Sequence, residues 1–481
     1  MQVCAMSSCY GLSLCWVLPM QLIRSMLPTM AAIPDQHSPR RVALDVLQRL
    51  KSSTLHADDL IDQELSRNRL QGADRGLLTE LVFGVLRQQG TLDHYLRQLV
   101  QQPLEKLEQP VLLLLRLGLY QLRYLDRIPA HAAVHASVEL AKQLIPRAKG
   151  MVNGVLRSYL RRADELSLPD PEHQPAAWLA ATYSLPEWLA DQWLQQLPRE
   201  EAAQLGTASL KVPPITLRTN SLRISREGLL NKLQTAGIAA EPCHYAPDGI
   251  RLLSRYPVME LPGFHEGCWT VQDEASQLVS LLLDPQPGEQ VLDMCAAPGG
   301  KTTHLAQLMG DRGQVTATDL NQRRIRKISE SAERLDLTCI QALAADALQP
   351  AYLEGRQFDR VLLDAPCSGL GVIRRNPEAK WRLTPAEVTR CALRQRLLLE
   401  TALTRLKPGG VLVYATCSTA YEEDEAVIKD FLSRHHAFVI EDDISLLHRH
   451  PDICSSDGML RTWPHRHGCD GFFAARLKRI P

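Results

Sequence analysis

The part of the chain that follows Asp273 alternates short apolar runs with stretches of helical spacing. The runs that we interpret as strands are 290–293, 314–318, 340–345, 358–363 and 411–415. The helical stretches include 301–309, 321–335 and 386–406. Strands separated by helices predict a mostly parallel sheet with helices on both faces. Residues 269–481 are therefore predicted to form one α/β domain.

The preceding residues follow a different pattern. Residues 36–165 show helical spacing throughout, and the nearly continuous apolar stretch Val111–Tyr120 predicts a central buried helix. Residues 166–268 begin with a proline-rich linker, then return to helical spacing at 176–209. Short strand-like runs follow at 215–220, 249–253 and 268–272. We therefore expect an all-α domain, then a linker with a small α/β subdomain, and then the α/β domain.

Composition narrows the class of protein. At 481 residues, 45% apolar and 22% charged, the chain has enough apolar residues for several globular domains. Its twelve irregularly spaced cysteines favour a reduced, cytoplasmic protein over a disulfide framework. No apolar run reaches the roughly 18 residues needed to span a membrane. Residues 1–35 are expected to be a poorly ordered leader or to precede the true start, and we favour a start at Met20, Met26 or Met30.

Acidic or thiol side chains follow the ends of five predicted strands. In open parallel sheets, ligands bind beyond the carboxyl ends of the strands. Chance acids at strand ends are common, but five strands in register make a strong signal for one shared site. The side chains concerned are Asp293, Asp319, Asp346, Asp364 with Cys367, and Cys417.

The loop after the first of these strands predicts a ligand site. Its small residues let the backbone approach a ligand closely at the start of a helix. The adjacent pair Gly299–Gly300 does not form a dinucleotide fingerprint, and Cys295 stands where a P-loop needs glycine. A nucleoside ligand without a polyphosphate, such as S-adenosylmethionine, suits the acidic edge better, with Asp319 placed to take the ribose hydroxyls. The loop residues are Cys295, Ala296, Ala297, Pro298, Gly299, Gly300 and Lys301.

The two cysteines indicate a reaction. Cytosine C5 is a poor nucleophile toward a methyl donor, but a thiolate that adds to C6 makes C5 enamine-like. Asp364 can hydrogen-bond the N3/N4 edge of the base and stabilise the charge that develops. A single cysteine at a strand end is more often a small buried apolar residue. Cys367 and Cys417 at the ends of adjacent strands, beside a methyl donor, favour the chemical role.

Three motifs carry a resemblance to a known family. Asp293–Thr302, Asp364–Gly369 and Tyr414–Ser418 resemble the RNA 5-methylcytosine methyltransferases of the NOL1/NOP2/Sun family. The helical N-terminal region resembles the NusB-like RNA-binding domain, and the resemblance covers about residues 36–481. Further matching segments are 217–220, 270–276 and 470–473.

The resemblance implies a fold, a reaction and partners. The fold is a Rossmann-like class I methyltransferase domain with a seven-stranded, mostly parallel sheet whose last strand is inserted antiparallel. The reaction transfers a methyl group from S-adenosylmethionine to C5 of one cytosine. The substrate is 16S ribosomal RNA or an early small-subunit assembly intermediate, and the enzyme is expected to act as a monomer away from membranes. Target cytosines must leave the base stack to reach such a site.

The resemblance also implies roles for individual residues. Cys417 is the nucleophile, and Cys367 assists release of the enzyme from the product. The loop from Cys295 to Lys301 lines the donor site, together with three acids: Asp319 at the ribose, Asp346 near the adenine, and Asp364 between donor and cytosine. We expect Lys301 and Arg218 to ease formation of the thiolate, and we expect Arg218 to contact RNA.

Two other functions stay open at this stage. The first is an RNA-binding assembly factor that has lost catalysis. Such a protein would keep the domains but would be free to lose a catalytic side chain, and the presence of both cysteines, Asp364 and Lys301 argues against it. A DNA cytosine methyltransferase would use Cys367 as its nucleophile and would need no Cys417. No metal is expected, because the spacing of the tail cluster fits no common zinc site; that cluster is Cys454, His465, His467 and Cys469.

Overall fold

A computed structural model describes residues 38–53, 55–68, 70–349 and 351–480. The expected leader over 1–35 and its candidate start residues lie outside these ranges. Within them the chain forms 18 α-helices and 12 β-strands. No helix in these ranges is both long and apolar enough to cross a membrane.

The N-terminal domain is all helical, as predicted. Helix α4 lies at its centre, packs against four of the other five helices and is buried from Val111 to Gln121. The one cation in this stretch, Arg116, donates two hydrogen bonds of 2.7 Å to the Asp93 carboxylate on α3, which compensates its buried charge. The helices are α1 (Pro39–Ser52), α2 (Ala57–Asn68), α3 (Gly72–Leu99), α4 (Gln109–Tyr124), α5 (Ala130–Leu144) and α6 (Lys149–Arg162).

Three linker helices and a small subdomain come next. The helices are α7 (Pro175–Tyr183), α8 (Glu187–Gln196) and α9 (Arg199–Leu210). The subdomain is an antiparallel sheet in the order β2-β3-β1-β4, with one helix. Strand β2 was not predicted, because its three residues have no apolar alternation. The elements are β1 (Thr216–Thr219), α10 (Arg226–Thr235), β2 (Ala240–Pro242), β3 (Gly249–Leu252) and β4 (Trp269–Val271).

The C-terminal domain is an α/β sandwich around one sheet. Its first half comprises α11 (Glu274–Leu283), β5 (Gln290–Met294), α12 (Gly300–Leu308), β6 (Gln314–Asp319), α13 (Gln322–Leu335), β7 (Ile340–Ala344) and β8 (Phe358–Asp364). Its second half comprises α14 (Ala379–Arg382), α15 (Pro385–Arg405), β9 (Leu406–Thr416), α16 (Glu425–Arg434), β10 (Phe438–Ile440), α17 (Ser445–Arg449), β11 (Leu460–Thr462), α18 (Pro464–His467) and β12 (Phe472–Arg479).

The strand order of this sheet confirms the expected fold class. It runs β10-β12-β9-β8-β5-β6-β7, with β5 to β9 parallel and β12 antiparallel between β9 and β10. These are the seven strands that the resemblance implied, and β11 adds an eighth that pairs with β12. Strand β9 begins at Leu406 rather than at 411, because Leu406 already pairs with Phe358 on β8, ahead of Gly409 and Gly410.

Helix α14 fastens the C-terminal domain to the helical domain. Lys380 Nζ donates to the carbonyl of Arg87 at 3.1 Å, and Trp381 Nε1 donates to that of Leu86 at 2.7 Å. Both carbonyls belong to α3. Since α14 follows the end of β8, the helical domain is held by the same connection that carries Cys367.

Two glycines bring two loops into backbone contact near the cysteines. The N–H of Gly371 donates to the carbonyl of Cys417, and the N–H of Gly471 donates to the carbonyl of Gly371, both at 2.9 Å. A Cβ atom at Gly371 would lie 2.0 Å from the carbonyl oxygen of Gly471. This approach therefore requires glycine at position 371.

We expect Gly371→Ala to lower the free energy of unfolding by about 2 kcal/mol or more, because backbone rather than a flexible side chain must move. Gly154→Ala on the surface of α6 is the matched control, since a Cβ there meets nothing within 4 Å. It should raise stability by about 1 kcal/mol at most. Urea unfolding of both variants measures the difference, and equal stability of the two would contradict the close approach.

Candidate active site

The structure brings the predicted strand-end residues to one edge of the sheet. Asp293 lies at the end of β5, Asp319 ends β6, and Asp364 ends β8. Asp346 follows β7, and Cys417 follows β9. Because these five strands pair in parallel, their carboxyl ends face the same side.

The backbone of the loop after β5 explains its small residues. Cys295 has φ +59° and Gly299 has φ +103°, both in the left-handed region. A Cβ atom at Gly299 would lie 3.1 Å from the Cα atom of Ile328, so a side chain there would crowd α13. Helix α12 starts at Gly300, and its N-terminus points into the edge where the acids lie.

Asp319 supports this loop. Its carboxylate accepts hydrogen bonds from the N–H of Ala297 at 3.3 Å and from the N–H of Asn321 at 2.9 Å. Arg324 lies 3.7 Å from the same carboxylate and donates to the Ala297 carbonyl at 2.7 Å. Each carboxylate oxygen has a further lone pair for a ligand.

Asp293 is a buried acid with an unused acceptor. Its Oδ2 accepts from the Thr302 hydroxyl at 2.6 Å, while Oδ1 is buried and has no hydrogen-bond partner among the described residues. Burial raises the pKa of Asp293 to about 7. An orphaned carboxylate oxygen at the end of β5 is a place where the amino group of a ligand would be stabilised.

Lys301 is paired with Asp364. The Nζ atom donates to Asp364 Oδ2 at 2.8 Å and lies 5.0 Å from the centre of the Phe472 ring. Burial alone would lower the pKa of Lys301, but the negative charge of Asp364 outweighs it and raises that pKa. The ammonium group therefore stays charged at this edge.

The two predicted cysteines meet. The Sγ atoms of Cys367 and Cys417 are 3.3 Å apart, which is hydrogen-bond distance for sulfur. The hydrogen bond with Cys417, and then burial, raise the pKa of Cys367 well above its ordinary value. The Cys367 thiol therefore keeps its proton and lies against the other sulfur.

Asp346 occupies a more open position than the other acids. Its carboxylate accepts from the N–H of Leu348 at 3.0 Å and from the Gln349 side chain at 3.3 Å. The Leu348 N–H lowers the pKa of Asp346, so the group is ionised. It closes a turn after β7 and is half-buried.

Arg218 lies elsewhere than the sequence indicated. It is 1% exposed, and its guanidinium donates to the Gly300 carbonyl at 2.6 Å and to the Thr303 hydroxyl at 3.0 Å. It also donates to Gln272 and Gln307. The predicted contact with RNA is not supported, because the group faces protein and fixes the first turn of α12, on which Lys301 stands.

Three polar residues beside the cysteines were not predicted from the sequence. Ser368 and Ser418 each follow a cysteine, and both hydroxyls donate to the buried carboxylate of Glu423. The acidic run after Cys417 was a visible signal. However, only the tertiary structure shows that Glu423, one residue of that run, is buried.

The tail cluster considered for zinc has other partners. The ring of His465 hydrogen-bonds Glu201 at 2.9 Å, and His467 Nδ1 accepts from the N–H of Trp463 at 2.8 Å. In the parts of the chain that the structure describes, no group of three or more candidate ligands could hold a metal ion.

The strand order, the antiparallel β12 and the ligand loop after β5 define the C-terminal domain as a class I methyltransferase domain. Family models agree with this assignment. Residues 280–478 match the model for 16S rRNA methyltransferase RsmB/F, residues 37–161 match the NusB family, and residues 185–259 match the RsmF/B-like ferredoxin-like domain.

Individual relatives extend the match over most of the chain. It is 40% identical over 449 residues to the probable ribosomal RNA small subunit methyltransferase B of Bacillus subtilis (strain 168), covering 92% of this chain and 99% of the relative. The crystal structure of PH0851 aligns with TM-score 0.77 at 28% identity, covering 92% of this chain and 99% of that one. NSun6 from Pyrococcus horikoshii with SFG aligns with TM-score 0.55 at 25% identity, covering 62% and 98%. The chain belongs to the ribosomal RNA small subunit methyltransferase B family and is an rRNA methyltransferase.

Asp293 should make stability depend on pH. Its folded pKa of about 7 lies above its ordinary value of 3.8, so the folded state binds the extra proton. The contribution of this group to stability is full below about pH 4 and is lost as the pH rises through about 7. Between about pH 5 and about pH 7 the stability of Asp293→Asn should therefore rise relative to wild type, by at most about 1.4 kcal/mol per pH unit.

Urea unfolding at several pH values measures this slope. Asp346→Asn is the control, since the lowered pKa of Asp346 puts its titration below this pH range. Parallel stability curves for Asp293→Asn and wild type would show that burial does not perturb Asp293.

Proposed function

We propose that the protein methylates C5 of one cytosine in 16S ribosomal RNA through a covalent bond between Cys417 and C6. The pair of thiols 3.3 Å apart at adjacent strand ends carries this proposal. A methyltransferase acting on a nucleophilic oxygen or nitrogen would have no use for either sulfur.

S-adenosylmethionine is the proposed methyl donor. Asp293 Oδ1 has no partner and suits the amino group, while Asp319 beside the loop suits the ribose hydroxyls. Asp346, which follows β7 at the same sheet edge, would lie toward the adenine. When bound, the donor supplies an electrophilic methyl group. The similarity to NSun6, whose structure contains SFG, supports ligand binding by this fold.

The thiolate of Cys417 begins the reaction. It adds to C6, and the electron pair of the C5–C6 bond moves toward N3, which makes C5 a nucleophile. Asp364 accepts a hydrogen bond from the N4 amino group of the base, and the Lys301 ammonium, 2.8 Å from that carboxylate, offsets the negative charge that develops at N3. C5 then takes the methyl group.

Cys367 acts in the second half of the reaction. The proton on the methylated C5 must leave before the C6–S bond can break and return the Cys417 thiolate. Once Cys417 is bonded to C6, it no longer shares a proton with Cys367, whose thiol then passes its own proton to water. The resulting Cys367 thiolate, whose sulfur lies 3.3 Å from Cys417 Sγ in the free protein, takes the C5 proton directly or through one water molecule. Without it, the RNA stays bound through sulfur.

The helical domain is proposed to bind the RNA near the target. The match to the NusB family and its rigid attachment through α14 support this role. The target cytosine must leave its stack to reach the sheet edge, which is easiest from a single-stranded loop.

Cysteine variants test the reaction. Cys417→Ala should be inactive and form no adduct, because nothing adds to C6. Cys367→Ala should accumulate a covalent protein–RNA species, because release fails. Both are incubated with 16S rRNA and labelled S-adenosylmethionine, then separated on a denaturing gel.

Cys391→Ala, on α15, is the matched control and should behave as wild type. An adduct with Cys417→Ala but none with Cys367→Ala would exchange the two roles, as in a DNA cytosine methyltransferase. Absence of methyl transfer by the wild-type protein would favour the RNA-binding assembly factor.

Asp319→Asn tests the donor site. We expect its Kd for S-adenosylmethionine to rise about tenfold or more, because charge-assisted hydrogen bonds to the ribose are lost. Asp336→Asn at the exposed end of α13 is the control and should keep the wild-type Kd. Isothermal titration calorimetry measures both, and an unchanged Kd for Asp319→Asn would exclude the ribose role.

A further inference from the structure

Glu423 ties together the two loops that carry the cysteines. It is buried in the connection after β9. Its Oε1 accepts from the N–H of Ser368 at 2.8 Å, and its Oε2 accepts from the Ser418 hydroxyl at 2.5 Å and from that of Ser368. One carboxylate thus holds the residue that follows each cysteine.

A fourth donor extends the tie. Gln395 on α15 donates to Glu423 Oε1 at 3.1 Å and to the carbonyl of Pro366 at 3.0 Å. Pro366 precedes Cys367, so the Cys367 loop is held on both sides of the thiol by one connected network. All four groups are donors, two of them on Ser368, and an ionised carboxylate has enough lone pairs to accept four hydrogen bonds.

The two loops depend on Glu423 to different degrees. The Cys417 loop has anchors of its own: the Ser418 N–H donates to the Thr416 hydroxyl at 3.2 Å, and the Ser418 hydroxyl accepts from the N–H of Ala420 at 3.1 Å. The hydrogen bond of 2.9 Å from the Gly371 N–H to the Cys417 carbonyl joins the two loops. The Ser368 N–H and hydroxyl, in contrast, both donate to Glu423, and the hydroxyl also lies 3.1 Å from that of Ser418. Loss of this carboxylate should therefore release Cys367 more than Cys417.

We infer that Glu423 is a positioning residue that holds Cys367 against Cys417 and so sets whether the covalent adduct is resolved. The role in adduct resolution rests on the proposed two-cysteine function, whereas the positioning of Cys367 does not. Glu423 touches neither thiol and acts through Ser368.

Two substitutions remove the tie to different extents. Glu423→Ala deletes every acceptor. Glu423→Gln keeps one carbonyl oxygen for Ser368 and Gln395 but presents an amide NH₂ to the two hydroxyls. Glu422→Gln is the matched control, because this neighbouring carboxylate is exposed and accepts from the Gln192 side chain at 3.1 Å, away from both cysteine loops.

Thiol spacing is measured first, without RNA or methyl donor. Diamide takes two electrons and two protons from Cys367 and Cys417, which form a disulfide while diamide becomes the hydrazine. Mass spectrometry of peptides digested without reductant follows the rate. We expect Glu423→Ala to form this disulfide about tenfold more slowly than wild type or Glu422→Gln, with Glu423→Gln between them.

Adduct resolution is measured second, with 16S rRNA and S-adenosylmethionine. Glu423→Ala should form the covalent protein–RNA species and resolve it about tenfold more slowly, as a weaker form of Cys367→Ala. Glu423→Gln should show a smaller effect in the same direction. A residue that only stabilised the fold would lower adduct formation and resolution together.

The outcomes separate the two parts of the inference. A wild-type rate of disulfide formation in Glu423→Ala overturns the positioning role, whatever the adduct does. A slower disulfide with normal resolution overturns the link to resolution. If Cys367→Ala also accumulates no adduct, the proposed function has failed instead. Should Glu423→Ala not fold, a wild-type disulfide rate in folded Glu423→Gln overturns the positioning role.

Discussion

The parallel pairing of β8 with β9 is the constraint on which the site depends. In that register Asp364 lies opposite Ala415, so the chain leaves both strands at the same level. The two cysteines then lie only a few residues beyond the last pair. Their sulfur atoms can meet without a long loop on either side, and a one-residue slip would turn the side chains of β9 to opposite faces of the sheet.

Buried and half-buried charged side chains hold the residues around these strand ends. Lys301 and Asp364 form a pair at the opening, and the buried Arg218 supports the turn of α12 that carries the lysine. The buried carboxylate of Glu423 accepts four hydrogen bonds: two from Ser368, one from Ser418 and one from Gln395. Each buried charge is costly by itself, but its hydrogen bonds join two loops or two domains whose positions the chemistry requires.

The layout of the fold and most of the site could be predicted from the chain alone. Strand ends such as Asp293 and Cys417 are local signals, because an apolar run followed by an acid or a thiol is visible in sequence. The strands of the tail were harder to locate. Strand β10 has three residues, and β12 is recognisable only from its place between β9 and β10.

The partners of buried polar groups could not be predicted. Arg218 looked like an exposed cation for RNA, and only the tertiary fold shows that its donors end on α12. Glu423 is one of several acids in a run, and only the fold separates it from the exposed Glu422. In both cases the deciding contact joins segments that are far apart in the chain.

The backbone contact between Gly371 and Gly471 has a consequence for the genetics of this protein. No side chain fits where the two loops cross, because the atom in the way is a carbonyl oxygen. Nearly any missense change at position 371 should therefore displace the loop that carries Cys367 and lower activity, although the thiol itself is intact. A survey of inactivating mutations would mark this glycine as catalytic, although it has no side chain to act on RNA.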